Sequence, residues 1–209
     1  MRELRFTLLT DGASDAALIH PLTWLLRSNG LKFPISPQWA DLSRLRPRPV
    51  KLFERMAAAL EWYPCELLFV HRDAERQPRE VRVAEIRQVT QVLSNPPVVC
   101  VVPVRMTEAW FLFNENAIRR AAANPHGKNH LGIPKLRDHE NEPDPKQVLR
   151  SALLAATELP LRRQRGFPVT ERIKRVAELI DDYSPLRALS AFGSLEEELR
   201  KVLADNGWN

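Results

Sequence analysis

The stretch LRFTLLTDGASDAALIHPL, residues 4–22, starts as a nearly continuous apolar run and then becomes polar, with two aspartates four positions apart. A strand that is apolar on almost every side chain, rather than on alternate ones, is typical of a parallel sheet with both faces covered. The polar turn carries Asp11 and Asp15, and a helical pattern follows at about residues 14–28. The stretch therefore predicts a buried strand, a turn with two carboxylates, and a helix.

Apolar runs and helical patterns continue to alternate along the next hundred residues. Including the opening strand, we predict strands at residues 3–9, 31–37, 65–70 and 97–104, the second being the weakest. Two further helices are predicted at residues 49–62 and 78–94, and a proline opens each of them, which is a favoured position for proline. Repeated strand–helix alternation predicts an α/β fold with a mostly parallel sheet flanked by helices.

The character of the chain changes after about residue 124. Residues 125–145 are polar, contain prolines and show no periodicity, which predicts an exposed loop. Three helical patterns follow, at residues 145–157, 169–181 and 194–205. We therefore expect an α/β domain over residues 1–124, with a loop and helical C-terminal region over residues 125–209 packed on it.

The composition of the 209-residue chain is that of a folded globular protein, with 44% hydrophobic and 27% charged residues. Its net charge of +5 gives weak support for a polyanionic partner. Cys65 and Cys100 lie in apolar runs and are expected to be free thiols in a reducing cytoplasm. Since no apolar run approaches the roughly 20 residues of a membrane helix, we expect a cytoplasmic protein without a membrane partner.

Acidic side chains follow three of the predicted strands. Asp11 and Asp15 follow the first, Asp73 and Glu75 follow the third, and Glu108 follows the fourth. In open α/β sheets, ligands bind beyond the carboxyl ends of the strands, and clustered carboxylates repel one another unless a cation lies among them. The pattern favours a site for a hard divalent cation such as Mg²⁺. The alternative is that these residues only cap helices and form turns.

Basic residues gather in three stretches that suit a phosphate backbone, residues 44–51, 162–165 and 172–175, and clusters in the first two supply the candidate binding residues. The first cluster contains Arg44, Arg46, Arg48 and Lys51, and the second contains Arg162, Arg163 and Arg165. Solvated surfaces or docking points for an acidic partner are the alternatives. No glycine-rich loop that would cradle a nucleotide occurs in the sequence, so we do not expect the chain itself to hydrolyse ATP.

Histidines and aromatic residues add no clear site. His126, His130 and His139 lie in one loop, but their spacing matches no standard zinc pattern and no cysteine is near. His71 precedes Asp73 and is interpreted as a strand-end residue without a role, with contact to bound phosphate as the alternative. Trp110 and its aromatic neighbours are interpreted as core rather than as a stacking platform for bases.

Two segments resemble the motifs of a known fold. LLTDGASDAALI looks like the first motif of the TOPRIM fold, an apolar strand followed by Glu-Gly and then Asp, and LLFVHRDAE looks like the second, an apolar strand followed by Asp-x-Asp. The Gly-Ala-Ser-Asp form is closest to TOPRIM nucleases of the overcoming-lysogenization-defect type. VVPVRMTEAWFLFNENAI, DPKQVL and LSAFGSLEEEL are similar to a TOPRIM-like family of unknown function encoded beside ATPases in bacterial defence loci.

The resemblance implies a Mg²⁺- or Mn²⁺-dependent nuclease that acts on DNA or RNA and is controlled by a separate ATPase in anti-phage defence. It implies these catalytic residues: Asp11, Asp15, Asp73 and Glu75. It implies these metal ligands: Asp11, Asp73, Glu75 and Glu108.

Two of these positions depart from the family pattern. Asp11 stands where the pattern has a longer glutamate, and Glu75 stands where it has a shorter aspartate. Both can still bind metal, but catalytic placement is sensitive to shifts of about an ångström. The alternative function is therefore a non-catalytic TOPRIM-like module that binds and regulates an ATPase.

Overall fold

A four-stranded, all-parallel sheet organises the fold. The computed structural model describes residues 3–93 and 96–209. Its strands are β1 (Leu4–Leu9), β2 (Ile35–Trp39), β3 (Leu67–His71) and β4 (Val98–Val101), in the spatial order β2-β1-β3-β4. The predicted α/β fold with a parallel sheet and a helical C-terminal region is confirmed.

Helices supply the remaining layers. The α-helices are α1 (Ile19–Ser28), α2 (Leu52–Trp62), α3 (Arg79–Thr90), α4 (Glu115–Ala121), α5 (Pro145–Thr157), α6 (Leu161–Gln164), α7 (Val169–Leu179) and α8 (Ser190–Asp205). Short 3₁₀ helices cover Ala13–Leu18, Leu42–Arg44, Thr107–Trp110, Leu136–Asn141 and Ser184–Ala188. Among the described residues, no helix combines the length and apolar character needed to cross a bilayer.

The sheet is buried on both faces, as its nearly continuous apolar strands predict. Phe6 and Leu8 of β1 belong to a core shared with α1 and the C-terminal helices, whereas Leu9 faces a second core shared with α2 and α3. The larger core runs from the sheet into the C-terminal region. There, Trp110 and Phe192 pack edge to face with their ring centroids 5.2 Å apart.

The chain order of the strands places one crevice at the centre of the sheet. From β1 the chain crosses to β2 on one side, and it then returns to β3 on the other side. The carboxyl ends of β1 and β3 are neighbours, because Leu9 pairs with Val70. Ligands of open α/β sheets bind at this kind of reversal in strand order.

Several boundaries differ from the sequence prediction. The helix predicted from residue 14 is a 3₁₀ helix up to Leu18, and α1 starts only at Ile19. Pro21 explains this difference, because proline has no N–H to donate and is tolerated only in the first turn of an α-helix. The helix predicted from residue 194 starts at Ser190, and the predicted loop contains the 3₁₀ helix Leu136–Asn141.

Parts of two predictions lie outside the described residues. These are residues 1, 2, 94 and 95 of the predicted first domain, and residue 94 is also the last residue of the helix predicted over residues 78–94. The thiol prediction is confirmed in that Cys65 and Cys100 are both free; Cys100 is buried and Cys65 is half-buried.

Candidate metal centre

Three side chains converge beyond the carboxyl ends of β1 and β3. Asp15, His71 and Asp73 each offer a ligand atom, and these atoms all lie within 4.8 Å of one another. Asp15 lies in the 3₁₀ helix after β1, His71 is the last residue of β3, and Asp73 follows two residues later. Two carboxylates and an imidazole at this spacing can hold a metal ion.

His71 is the central member of this cluster, and its side chain is fully buried. Its Nε2 atom lies 3.1 Å from Oδ1 of Asp73 and 2.9 Å from Oγ1 of Thr107. Its Nδ1 atom lies 3.9 Å from Oδ2 of Asp15 and has no hydrogen-bond partner among the described residues. Because buried polar atoms are nearly always satisfied, this lone nitrogen indicates a position for a ligand.

The charge state of His71 depends on its acidic neighbours. Burial lowers the pKa of His71, but the hydrogen bond with Asp73 and the charges of Asp73, Asp15 and Asp11 together raise it above the ordinary value. Without a metal ion, the neighbouring carboxylates therefore favour the imidazolium form. Binding of a cation at Nδ1 requires the neutral ring, and the Nε2–H group can then still donate to Asp73.

Asp15 is held by its own turn. The N–H group of Gly12 donates to Oδ2 of Asp15 at 3.2 Å, and the Ser14 hydroxyl donates to Oδ1 at 3.4 Å. Burial raises the pKa of the Asp15 carboxyl, the charge of His71 lowers it, and the charge of Asp73 raises it further, for a net increase. A counter-charge at this position therefore stabilises the ionised carboxylate.

Asp73 is tied to the segment that follows β4. The backbone N–H group of Thr107 donates to Oδ1 of Asp73 at 3.1 Å, and the Thr107 hydroxyl also contacts His71. Thr107 opens the 3₁₀ helix Thr107–Trp110. Segments after β1, β3 and β4 thus fix the orientation of the cluster.

Asp11 is adjacent to this cluster but is paired with arginines. Arg55 donates from Nη1 to Oδ1 of Asp11 at 2.8 Å, and Arg72 donates from Nε to Oδ2 at 3.0 Å. Burial opposes ionisation of Asp11, but the hydrogen bond from Arg55 and the charges of Arg72 and Arg55 hold its pKa below the ordinary value. Asp11 is therefore ionised, with both oxygens engaged by the protein's own cations.

Glu75 and Glu108 lie outside the group of three. The Glu75 side chain is 65% exposed, and its nearest cation is Arg82, with Nη2 3.7 Å from Oε2. Glu108 is buried, and its Oε1 lies 3.8 Å from Nζ of Lys146. Burial raises the pKa of Glu108, Lys146 opposes this, and the charges of Asp15 and Asp73 contribute to the increase. Glu108 thus lies close enough to interact with the two aspartates electrostatically.

The two basic clusters occupy different parts of the surface. Arg44, Arg46, Arg48 and Lys51 are exposed and lie between β2 and α2. Arg48 lines a cleft that also contains Asp11 and Gly12. The second cluster, Arg162, Arg163 and Arg165, is exposed on and just after the short helix α6. Arg48 of the first cluster is therefore the residue that the structure places in one cleft with Asp11.

The loop histidines do not form a centre of their own. His139 is buried, with Nδ1 3.1 Å from the carbonyl oxygen of Ala109 and Nε2 3.2 Å from that of Pro134. His126 and His130 are exposed. Within residues 3–93 and 96–209, the only cluster with metal-ligand spacing is that of Asp15, His71 and Asp73.

The residues found together differ in part from those expected. The sequence identified Asp15 and Asp73 as acidic residues of one site, whereas it gave His71 no role and left Arg55, Arg72 and Thr107 unnoticed. One signal for His71 was present: residues two apart in extended chain project to the same side, which relates His71 to Asp73. Comparison of the chain with protein-family models, curated proteins and solved structures found no match.

Proposed function

We propose that this protein is a divalent-metal-dependent nuclease that hydrolyses phosphodiester bonds of nucleic acid. The observation that carries the proposal is the convergence of Asp15, His71 and Asp73, together with the buried Nδ1 atom of His71, which has no hydrogen-bond partner in the part of the chain that the structure describes. Carboxylates at the carboxyl ends of neighbouring parallel strands, next to an arginine-bearing cleft, suit a reaction at phosphate. The resemblance to TOPRIM nucleases supports the same activity.

In this proposal, Asp15 and Asp73 bind the ion through carboxylate oxygens, and His71 contributes Nδ1. The ion would polarise the phosphate and lower the pKa of a bound water. Thr107 orients the side chains of Asp73 and His71 through its N–H and hydroxyl groups. Arg55 and Arg72, which now neutralise Asp11, supply positive charge beside the site.

The donor set suits Mn²⁺ and accommodates Mg²⁺. Carboxylate oxygens are ligands for both ions, whereas an imidazole nitrogen is less suited to Mg²⁺, which prefers oxygen. Each oxygen of Asp11 already accepts a hydrogen bond from Arg55 or Arg72, so Asp11 could join as a further ligand through a remaining lone pair or in exchange for one of these bonds. Glu75 would need a change of side-chain position, because it is paired with Arg82.

A second candidate function is a non-catalytic module that binds and regulates a partner ATPase. The observation in its favour is that the protein's own cations offset part of the acidic charge: Arg55 and Arg72 pair with Asp11, and the charges of Asp73 and Asp15 raise the pKa of His71. A protonated His71 would lower the repulsion between Asp15 and Asp73 without a metal ion. In either proposal the ATPase is a separate protein and the context is anti-phage defence in the cytoplasm. The family resemblance supports the ATPase partner and the defence context. The two free thiols support a reducing compartment.

The nuclease proposal is tested by nicking of supercoiled plasmid DNA and cleavage of RNA by purified protein in Mn²⁺, Mg²⁺ or EDTA. We expect metal-dependent cleavage that is lost in Asp73→Asn and retained in the control Asp205→Asn, which changes an exposed acid at the end of α8. Cleavage that persists in Asp73→Asn would identify a contaminant. Absence of cleavage in every metal, with intact fold, would favour the partner-binding module.

A further inference from the structure

A cleft of ≈ 590 Å³ opens directly beside the candidate metal centre. Its walls are residues 9–13, residues 39–43, residues 48–50 and Arg55. The wall formed by residues 9–13 is also part of the centre, because the N–H group of Gly12 donates to Asp15. A molecule bound in the cleft therefore lies next to the turn that carries the metal ligands.

The basic side of the cleft has spare positive charge. Arg48 lines the cleft, Arg44 and Lys51 each follow a lining residue in the chain, and Arg46 lies two residues before Arg48. None of these four forms an ion pair with a described carboxylate. Arg55 uses one guanidinium nitrogen for Asp11 and another for the carbonyl oxygen of Thr10, which leaves further N–H donors. The cleft thus offers hydrogen-bond donors and unpaired charge for phosphate.

The acids of the cleft are already occupied. Asp11 is neutralised by Arg55 and Arg72. Asp41 accepts a hydrogen bond from the N–H group of Ser43, which it caps. Asp41 keeps its charge, and the hydrogen bonds from Ser43 together with the charges of Arg44 and Arg48 lower its pKa. Neither arginine forms an ion pair with a described carboxylate, so both keep hydrogen-bond donors for an anion.

An indole ring forms an apolar part of the cleft lining. Trp39 is half-buried, packs against the core and lines the cleft. Its Nε1–H group donates to Oγ1 of Thr10 at 2.9 Å, and the Thr10 hydroxyl donates to the carbonyl oxygen of Gly12 at 2.7 Å. The ring is therefore held in place by the same turn that positions Asp15. A fixed aromatic surface beside arginines is the combination that binds unpaired bases.

We propose that this cleft binds one nucleotide unit of a single-stranded nucleic acid, with its base against Trp39 and its phosphate between Arg48 and Arg55. This inference rests on the proposed nuclease function and adds the substrate class, an unpaired strand. The volume supports a single unit, since pockets of about 300–1,000 Å³ hold one small molecule. A base inside a duplex is not available to stack on a protein side chain.

The inference is tested by anisotropy of a short labelled oligonucleotide in EDTA, so that binding is measured without cleavage. DNA and RNA strands of one sequence and the corresponding DNA duplex form the three arms. We expect tighter binding of either single strand than of the duplex. Trp39→Ala and Arg48→Glu should each weaken single-strand binding by about tenfold, whereas Trp39→Phe, which keeps an aromatic ring, should bind nearly as well as wild type.

Matched controls lie at the opposite edge of the sheet. Trp62 is 60% exposed at the end of α2, just before the chain enters β3, and Lys201 is exposed on α8. Trp62→Ala and Lys201→Glu should bind as wild type does. If Trp39→Ala does not fold, Arg48→Glu, which changes an exposed side chain, decides the result.

The outcomes separate this inference from the proposed function. Unchanged single-strand binding in Arg48→Glu and in a folded Trp39→Ala, or equal affinity for the duplex, overturns the cleft inference even if Asp73-dependent cleavage is found. Weakened binding in both variants supports the cleft as a strand-binding site even if no metal produces cleavage, in which case only the nuclease proposal fails.

Discussion

Oδ1 of Asp11 lies 2.8 Å from Nη1 of Arg55, which joins the turn after β1 to a residue 44 positions later in α2. Arg55 also donates to the carbonyl oxygen of Thr10, and Arg72 engages the second oxygen of Asp11. Arg72 continues to Glu85 of α3, with Nη1 2.8 Å from Oε2. A chain of ion pairs therefore connects the turn of the candidate site to both helices on one face of the sheet.

Replacement of Arg55 by alanine should lower the free energy of unfolding by about 1–2 kcal/mol. The substitution removes two charge-assisted hydrogen bonds, one of them to a carboxylate, and leaves Asp11 with a single arginine partner. Urea denaturation followed by circular dichroism measures the change. The control is Arg175→Ala, because the exposed Arg175–Glu178 pair should contribute only about 0.5 kcal/mol. Equal effects of the two substitutions would show that the Asp11 network does not stabilise the turn.

Glu196→Gln should destabilise the protein at neutral pH by about 1–3 kcal/mol. Glu196 is buried on α8 and accepts hydrogen bonds from Arg187, Arg200 and Asn29. The hydrogen bonds from Arg187 hold the pKa of Glu196 below its ordinary value of 4.5, although burial opposes this. Glutamine keeps the shape but loses the charge, so the charge-assisted part of these bonds is lost.

The pH dependence of this difference has a definite sign. Because the folded-state pKa is lowered, the contribution of the carboxylate is complete above about pH 4.5 and disappears as the pH falls through the folded-state pKa. Urea midpoints of wild type and Glu196→Gln should therefore converge on acidification. A difference that stays constant from neutral to acidic pH would assign the effect to packing rather than to charge.

Phe192→Ala should lower the free energy of unfolding by about 3–5 kcal/mol. Phe192 is fully buried against Trp110, and its removal leaves a cavity between the sheet region and α8. Thermal or urea unfolding should remain a single transition in wild type, since one core includes both parts of the chain. Phe53→Ala is the matched control; Phe53 is 44% exposed, and its loss should change stability by less than about 1 kcal/mol. Separate transitions for the two parts in wild type would contradict a shared core.

The two thiols should differ in reactivity. Burial, together with the nearby charge of Glu198, raises the pKa of Cys100 to about 12, so its thiol stays protonated and inaccessible in the folded protein. Cys65 is half-buried, and burial also raises its pKa. A thiol-reactive dye at mildly alkaline pH should label Cys65 slowly and Cys100 only after unfolding. In Cys65→Ser, Cys100 is the remaining thiol. Labelling of Cys100 in this folded variant would show that β4 opens readily.

Much of the sheet is predictable because strands that are buried on both faces appear in the sequence as continuous apolar runs. The strands β1, β3 and β4 have almost only buried side chains and appear as apolar runs. The edge strand β2 is half-buried and contains Pro37, so its pattern is weak, and the predicted range of residues 31–37 ends before Trp39. Trp39, the tryptophan of the cleft, therefore lies outside the predicted strand. Proline is compatible with an edge strand, which explains why the fold tolerates it.

The site is predictable only where a local rule applies. Asp15 and Asp73 follow strands, and strand order brings such positions together. The partners of Asp11 could not be predicted in the same way, because Arg55 and Arg72 approach it from a helix and a second strand end that only the tertiary fold aligns. Glu75 lies two residues further beyond β3 than Asp73 does, and its backbone φ is +55°. The Glu75 side chain is exposed and pairs with Arg82.

The most direct test of the central claim is Mn²⁺ binding to the purified protein, measured by calorimetry and by electron paramagnetic resonance. If Asp15, His71 and Asp73 form a metal centre, wild type should bind Mn²⁺, and Asp15→Asn and Asp73→Asn should each lower the affinity by at least about tenfold. Asp205→Asn, which changes an acid remote from the cluster, should bind as wild type does. Failure of wild type to bind Mn²⁺ would contradict the assignment. Binding of Mn²⁺ by Asp15→Asn and Asp73→Asn with the affinity of wild type would contradict it as well.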